Sequence, residues 1–200
     1  METDWNIPEE MGVMILPETV LLPGGLLPLF IFEPRYRVML ADALDSHRMF
    51  AIGLMREGEM SYPVGCAGFI RACVARPDGT SHLMLQGMRR VNFGEWREGK
   101  PYPLARIQVL QSQMPKPAVG ENLRGEFQSL SRQLPDGNKE MRLQLETLLE
   151  KAADLNQFSD LAASALVNDA AIRQHMLEEL VVENRLAILA ACLTRMITPE

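Results

Sequence analysis

The 200-residue sequence predicts an α+β protein in which a β-rich domain is followed by a bundle of helices. Three observations predict this class. Short apolar runs separated by turn residues recur about every 8–12 residues, which is typical of a small barrel or sandwich. A single amphipathic segment interrupts these runs and indicates one early helix. After a proline-containing stretch at residues 111–120, the apolar residues recur with a helical period instead.

The first predicted strands follow a flexible, acidic tail at residues 1–12. Residues 13–16 and 19–22 are short apolar runs interrupted by proline, a pattern that favours an edge strand. The Gly24-Gly25 pair turns the chain. The apolar run at residues 26–32 then predicts a second, buried strand.

An early helix is predicted to begin at Pro34, because the fixed φ of proline and its missing N–H are tolerated at the first helical position. The apolar residues that follow are spaced so that they share one buried helical face. They are Tyr36, Met39, Leu40, Ala43 and Leu44.

The β pattern then resumes and completes the first domain, which we expect to span residues 13–112. A turn is predicted at Pro77-Asp78-Gly79, because proline presets φ and glycine accepts a positive φ. The remaining predicted strands are residues 49–55, 66–75, 82–86, 90–96 and 104–110.

The second domain is predicted to be a helical bundle at residues 121–198, joined to the first by a linker at residues 113–120. Its apolar residues recur at helical spacing. Ser159 and Asp169 are predicted N-caps, since short polar side chains accept hydrogen bonds from the free backbone N–H groups of a first helical turn.

Charge and cysteine content narrow the classes of partner. The net charge is −6, with 11 basic and 13 acidic side chains in residues 1–114 and 9 and 13 in residues 115–200. Neither part is basic, which disfavours RNA because phosphate contacts normally supply most of that affinity. The three cysteines lack metal-ligand spacing and the acidic start is unlike a signal peptide, so we expect a cytoplasmic protein. No apolar run is long enough to span a bilayer, so no membrane contact is expected.

One segment, residues 94–100, matches the beginning of a phosphate-binding loop, G-x-x-x-x-G-K. The next residue should be Ser or Thr, whose hydroxyl would hold Mg²⁺, but it is Pro101. A helix N-terminus must also receive the phosphate, and Pro101 and Pro103 oppose a helix there. We therefore predict an ordinary β-hairpin loop.

Motifs of catalysis and metal binding are missing from the sequence, which contains no G-x-S-x-G, H-E-x-x-H or C-x-x-C. The histidines, His47, His82 and His175, lie far apart in the sequence. We therefore expect no catalytic residue, no cofactor, no metal and no enzymatic activity.

The candidate binding surface lies where the second strand runs into the early helix, because binding residues collect on loops held by a rigid scaffold. The substrate-binding residues assigned to it are Phe32, Glu33, Arg35, Tyr36 and Arg89. The competing interpretation is a structural junction, in which Phe30 and Phe32 are core residues and the negative charge of Glu33 interacts favourably with the positive end of the helix dipole. Tyr36 also lies on the predicted buried face of the helix.

The string Pro-Leu-Phe-Ile-Phe-Glu-Pro-Arg-Tyr at residues 28–36 is specific, and it lies in a longer run that begins at residue 16. This run strongly resembles the amino-terminal, substrate-binding domain of the Lon ATP-dependent proteases. The resemblance extends over roughly residues 13–197. The further similar segments are residues 64–70, 77–80, 85–91, 102–106, 158–162, 177–180 and 184–186.

The resemblance implies a PUA-like β-barrel followed by a helical bundle, and a role in recognising protein substrates. A complete Lon chain continues into an ATPase module and a Ser–Lys peptidase, and neither is found in these 200 residues. The sequence is therefore similar to stand-alone bacterial Lon-domain proteins. The expected function is a protein- or peptide-binding module, an adaptor in protein quality control and proteolysis, with an ATP-dependent protease as a candidate partner. The 13 methionines support this binding of varied apolar clients, although several of them fall on predicted core faces.

Two alternatives to protein binding remain open. RNA binding is suggested by analogy with the PUA-like fold, with five arginines as candidates: Arg71, Arg76, Arg89, Arg90 and Arg106. A small-molecule enzyme acting in the barrel cleft is the third possibility, and no catalytic constellation supports it.

Overall fold

The structure, a computed structural model, describes residues 6–197. The chain divides into two compact units, Met1–Leu110 and Gln111–Glu200. Residues 1–5 of the predicted tail and residue 198 of the predicted bundle lie outside the described residues.

The described residues of the first unit form a mixed six-stranded sheet and one helix. The strand order is β2-β5-β4-β3-β1-β6, and β5 also pairs with β6. Strands β1 and β3 are parallel, and the other pairs are antiparallel. The elements are β1 (Glu10–Leu16), β2 (Leu26–Ile31), α1 (Pro34–Leu44), β3 (Met49–Leu54), β4 (Val64–Ala75), β5 (Ser81–Arg97) and β6 (Leu104–Val109).

Helix α1 begins at Pro34 and buries the predicted face, including Tyr36, Met39, Leu40 and Ala43. The sequence prediction of this helix is therefore confirmed. The turn at Pro77-Asp78-Gly79 is also confirmed, because Arg76 and Thr80 pair across it and Gly79 has φ of 81°.

Several predictions for the strands are wrong in detail. Strand β1 begins at Glu10, inside the predicted tail, because residues 10–12 pair with β6. It lies between β3 and β6, not at an edge, and both its faces are covered, since neighbouring Val13 and Met14 are both buried. Residues 19–22 form no strand between the flanking prolines, although three of them are buried. The two strands predicted at residues 82–86 and 90–96 are one strand, β5.

The strands of the first unit approach closely where β4 is built from small residues. A Cβ on Gly65 would overlap the Phe93 ring and the carbonyl oxygen of Ile52. The absence of a side chain at Gly65 therefore allows Phe93 on the neighbouring strand β5 to fill that space.

The second unit is helical. Contacts join α2 to α3 and α6, α3 to α4, and α4 to α5 and α6. The rings of Phe127 and Phe158 pack edge to face at 5.2 Å between centroids. The helices are α2 (Pro117–Gln133), α3 (Lys139–Lys151), α4 (Leu155–Leu166), α5 (Ala170–Glu178) and α6 (Val182–Ile197), with a short 3-10 helix at Asp136–Asn138.

Three boundaries of the second unit correct or confirm the sequence predictions. Helix α2 begins at Pro117, inside the predicted linker, because proline suits the first helical position. Asp169 caps α5 as predicted, accepting a hydrogen bond from the Ile172 N–H at 3.0 Å. The cap prediction for Ser159 is wrong, since Ser159 lies within α4 and Asp154 caps that helix, accepting from Gln157 N–H at 2.8 Å.

Candidate functional site

The candidate site is the outer face of strand β2. Among the described strands, β2 pairs with β5 alone, so it is an edge of the sheet. Phe30 lies opposite His82 on β5, and His82 lies opposite Val74 on β4. Pro28, Met84 and Ala72 form the next such row. Residues directly opposite one another in paired strands project to the same side of a sheet, so these two rows form one surface.

This surface, which we call the β2 face, is apolar and exposed. It consists of Leu26, Pro28, Phe30, Ala72, Val74, His82 and Met84. Leu26 is 62% exposed, Phe30 45% and Val74 66%, so large apolar side chains meet solvent together. Contiguous exposed apolar surface of this kind marks interaction sites on soluble proteins.

The β2 face includes a shallow groove of about 440 Å³, lined by Pro28, Phe30, Ala72, His82 and Met84 among others. The Phe30 ring stacks on His82 at 4.7 Å and on Phe32 at 5.8 Å between centroids. These contacts gather the exposed aromatic rings into one cluster at one end of the groove.

Arginines surround the same end of the β2 face. The Arg76 guanidinium lies 5.7 Å from the centroid of the Phe30 ring. Arg37 packs against the β4–β5 turn, where a Cβ on Gly79 would overlap its guanidinium. The structure therefore combines an apolar surface with positive charge at its Phe32 end.

Three of the predicted site residues lie together beside the β2 face. Phe32 is 58% exposed. Arg35 donates to the Glu33 carboxylate at 2.9 Å, and both side chains are about half exposed. The competing interpretation of Phe30 and Phe32 as core residues, and the prediction that residues 26–32 form a buried strand, are wrong. Both interpretations assumed that the apolar side chains of β2 are covered by other strands. No described strand pairs with the outer edge of β2, and its alternate side chains are exposed.

Tyr36 does not belong to the exposed surface. Its side chain is buried, and its hydroxyl accepts a hydrogen bond from the Ile15 N–H at 3.2 Å and donates to the Ile15 carbonyl at 3.4 Å. Strand β6 pairs only with residues 10–12 of β1. The Tyr36 hydroxyl therefore forms hydrogen bonds with backbone groups of Ile15 that β6 does not reach. This placement corrects the assignment of Tyr36 to a binding surface.

Arg89 is exposed but lies away from the other predicted residues. It stands eight positions along β5 from Ser81, which is opposite Ile31. At about 3.3 Å per residue the separation is roughly 25 Å. The structure therefore separates Arg89 from Phe32, Glu33 and Arg35.

The five arginines considered for RNA do not share one exposed face. Arg90 is buried, whereas Arg71, Arg76 and Arg106 are exposed. The burial of Arg90 corrects its assignment to a basic surface.

The sequence interpretation missed most of the β2 face. The sequence did contain one signal of this face. Pro28 lies within the apolar run that includes Leu26, Phe30 and Phe32, and proline within a strand is typical of an edge. The residues contributed by β4 and β5 gave no signal, because they join β2 only through strand pairing.

Residues 94–100 form the end of β5 and the following turn, which confirms the predicted β-hairpin loop.

Lys100 Nζ lies 2.8 Å from the Asp42 carboxylate, and the Tyr102 hydroxyl donates to the same oxygen at 2.6 Å. The hydrogen bond from Lys100, followed by that from Tyr102, lowers the pKa of Asp42. Burial and the bond to Asp42 raise the pKa of Tyr102 well above its usual range.

The described residues offer neither a metal site nor a membrane-spanning helix. They contain no group of three or more His, Cys, Asp or Glu side chains placed to hold a metal ion. No described helix is long and apolar enough to cross a membrane.

Comparisons with known proteins place this geometry in context. Residues 10–195 match the family model of the ATP-dependent protease La (LON) substrate-binding domain. Lon protease 2 of Herpetosiphon aurantiacus is 30% identical over 93% of this chain and 24% of its own length. The Lon protease of Dictyoglomus thermophilum is 26% identical over 95% of this chain and 25% of its own length. The chain thus spans about a quarter of these relatives.

Two of the solved structures that share the fold are Lon N-terminal domains. The N-terminal domain of the Mycobacterium avium complex Lon protease has a TM-score of 0.74 and 18% identity, covering 92% of this chain and 98% of that one. The Lon N-terminal domain protein from Xanthomonas campestris has a TM-score of 0.67 and 21% identity, covering 91% and 97%. The mixed sheet and the six α-helices of the described residues therefore form the fold of a Lon N-terminal domain.

Proposed function

This chain belongs to the family of LON substrate-binding domains, and from that premise we propose that it captures unfolded protein segments on the β2 face. The observation that carries the proposal is the joint exposure of Leu26, Phe30 and Val74 on the β2 face, with Phe32 exposed beside it. Unfolded chains present the apolar side chains that folded proteins bury. Removing such surface from water contributes about 25 cal/mol per Å² of apolar area.

We further propose that the chain acts as a non-enzymatic adaptor in protein quality control, delivering its clients to an ATP-dependent protease. The support is that the similarity is to the substrate-binding part of Lon proteases and not to their peptidase part. A cytoplasmic location is proposed with it; in support, Cys66, Cys73 and Cys192 are free thiols, as is usual in a reducing compartment.

The proposal includes a PUA-like barrel and a helical bundle as the scaffold. In support of the barrel, β1, β3, β4, β5 and β6 each pair with a described strand on both sides, and the β5–β6 pairing joins the two ends of that series. In support of the bundle, five helices contact one another and bury Phe127 and Phe158 between them.

A binding titration tests the capture of unfolded protein on the β2 face. Fluorescein-labelled casein would be titrated with the protein and followed by fluorescence anisotropy. The pair Leu26→Ser, Phe30→Ser removes two anchors that each contribute about 1.5–3 kcal/mol when buried, so affinity should fall at least about tenfold. A circular dichroism melt would establish that the variant is folded.

The matched control is Met114→Ser, Leu143→Ser, which removes two exposed apolar side chains from the second unit. Casein affinity should stay within about twofold for this control. If the two pairs weaken binding equally, or neither does, the β2 face is not the capture site.

A further inference from the structure

Resting on the proposed function, we propose the class of segment that the β2 face prefers: an extended strand that pairs with the open edge of β2 and carries carboxylates beside its apolar run. The occupant is thus a strand-forming, acidic-flanked segment of an unfolded protein. Two independent features of the site lead to it, an open strand edge and an uneven distribution of charge.

The first feature is the open edge of β2. Leu26–Ile31 is extended over six residues, and among the described strands only β5 pairs with it. An extended peptide laid along that edge would continue the sheet and satisfy backbone groups of β2, except at Pro28, which has a carbonyl but no N–H to offer; this is a recurrent mode of peptide recognition. Its alternate side chains would then lie on the same side as Pro28 and Phe30, in line with the groove.

The second feature is an excess of positive charge at the Phe32 end. Arg35, Arg37 and Arg76 lie there, together with two carboxylates, Glu33 and Asp78. Glu33 already pairs with Arg35 at 2.9 Å. Asp78 accepts hydrogen bonds from the Thr80 N–H at 2.9 Å and the Thr80 hydroxyl at 2.7 Å.

Hydrogen bonds from Thr80, and more weakly the charges of Arg76 and Arg37, lower the pKa of Asp78, but neither arginine forms an ion pair with it in the described residues. No carboxylate in the described part of the chain lies within 4.0 Å of either guanidinium. The chain as a whole carries a net charge of −6 and repels acidic segments at long range. A local preference for carboxylates therefore depends on these two arginines, and salt should weaken it.

The charge preference is tested with a set of dye-labelled peptides that share one alternating apolar run. The run is flanked at its amino or carboxyl end by three Glu, three Lys or three Ser, and affinities are measured by anisotropy at low salt. We expect the better Glu peptide to bind at least fivefold more tightly than the matching Lys peptide. In the variant Arg37→Gln, Arg76→Gln that ratio should fall below twofold, while affinity for the Ser peptide changes less than twofold.

The control Arg106→Gln, Arg132→Gln removes the same charge from exposed positions elsewhere and should leave the fivefold ratio intact. Equal binding of the Glu and Lys peptides by the unaltered protein overturns the charge preference. Tighter binding of a 12-nucleotide oligouridine than of any peptide also overturns it, because the arginines would then serve phosphate.

Strand pairing is tested with the Ser peptide methylated on the backbone nitrogens of alternate residues, in two sets that block one edge each. One set should lose at least tenfold in affinity and the other should lose little. If neither loses affinity, pairing with β2 is wrong. That result would leave the capture of unfolded protein untouched, because the casein titration of the Leu26→Ser, Phe30→Ser variant tests it separately.

Discussion

Arg185 on α6 donates to the Asp160 carboxylate on α4 at 2.9 Å, and the two side chains are 0% and 2% exposed. Arg185 also donates to Asn156 Oδ1 at 2.7 Å and to Ser112 Oγ at 2.9 Å. A buried guanidinium of this kind requires such partners, because an uncompensated charge in the interior is costly. The pair therefore joins α4, α6 and the segment that precedes α2.

Breaking this buried pair should destabilise the protein strongly. Asp160→Leu leaves the Arg185 guanidinium buried without its carboxylate and should reduce the free energy of unfolding by about 3–5 kcal/mol. Urea unfolding followed by circular dichroism at 222 nm measures the change. Glu59→Leu, which breaks the exposed pair with Arg56, should cost less than about 1 kcal/mol. Comparable losses in the two variants would contradict the structural role of the Arg185 pair.

Removing the Tyr36 hydroxyl should affect stability and not binding. Tyr36→Phe deletes the hydrogen bonds to the Ile15 backbone, and the loss should be about 0.5–1.5 kcal/mol in the free energy of unfolding. Urea titration measures it, and casein affinity should remain unchanged. A fall in affinity without a fall in stability would show that the phenol contacts the client after all.

Charge reversal at Arg35 should have a modest effect on clients without charged flanks. The pair with Glu33 is about half exposed, so Arg35→Glu should weaken binding of the Ser-flanked peptide by less than about 1 kcal/mol. Arg89→Glu makes the same charge change roughly 25 Å along the sheet and should have no effect. Anisotropy titrations compare the two, and a larger effect at Arg89 would place the site elsewhere.

The Asp42 cluster should contribute stability that depends on pH. The bonds from Lys100 and Tyr102 lower the pKa of Asp42 in the folded protein. A carboxyl with a lowered folded pKa contributes stability above its unfolded pKa of about 4, and this is lost as pH falls through the folded value. The difference in unfolding free energy between the protein and Asp42→Asn should therefore shrink on acidification below about pH 4. A difference that stays constant down to pH 2 would exclude this linkage.

Local signals determined the elements that the sequence predicted well. The spacing of Tyr36, Met39, Leu40 and Ala43 after Pro34 predicted α1 and its buried face, because helix formation and amphipathicity depend on residues three or four apart. The turn before Thr80 and the cap at Asp169 likewise depend on one or two neighbouring residues. The resemblance to the family also depends on local sequence, because residues 28–36 form an unbroken string whose similarity does not depend on how the chain folds.

Only the tertiary structure decided which surfaces meet solvent and which distant residues meet one another. The run at residues 26–32 is apolar in any fold, but it is exposed here because strand order places β2 at an edge. Its neighbour His82 comes from β5, 52 residues after Phe30, and Arg185 meets Asp160 across 25 residues. Burial depends on what packs against a residue, and in a sheet that partner is set by long-range pairing, which residue type and local spacing do not encode.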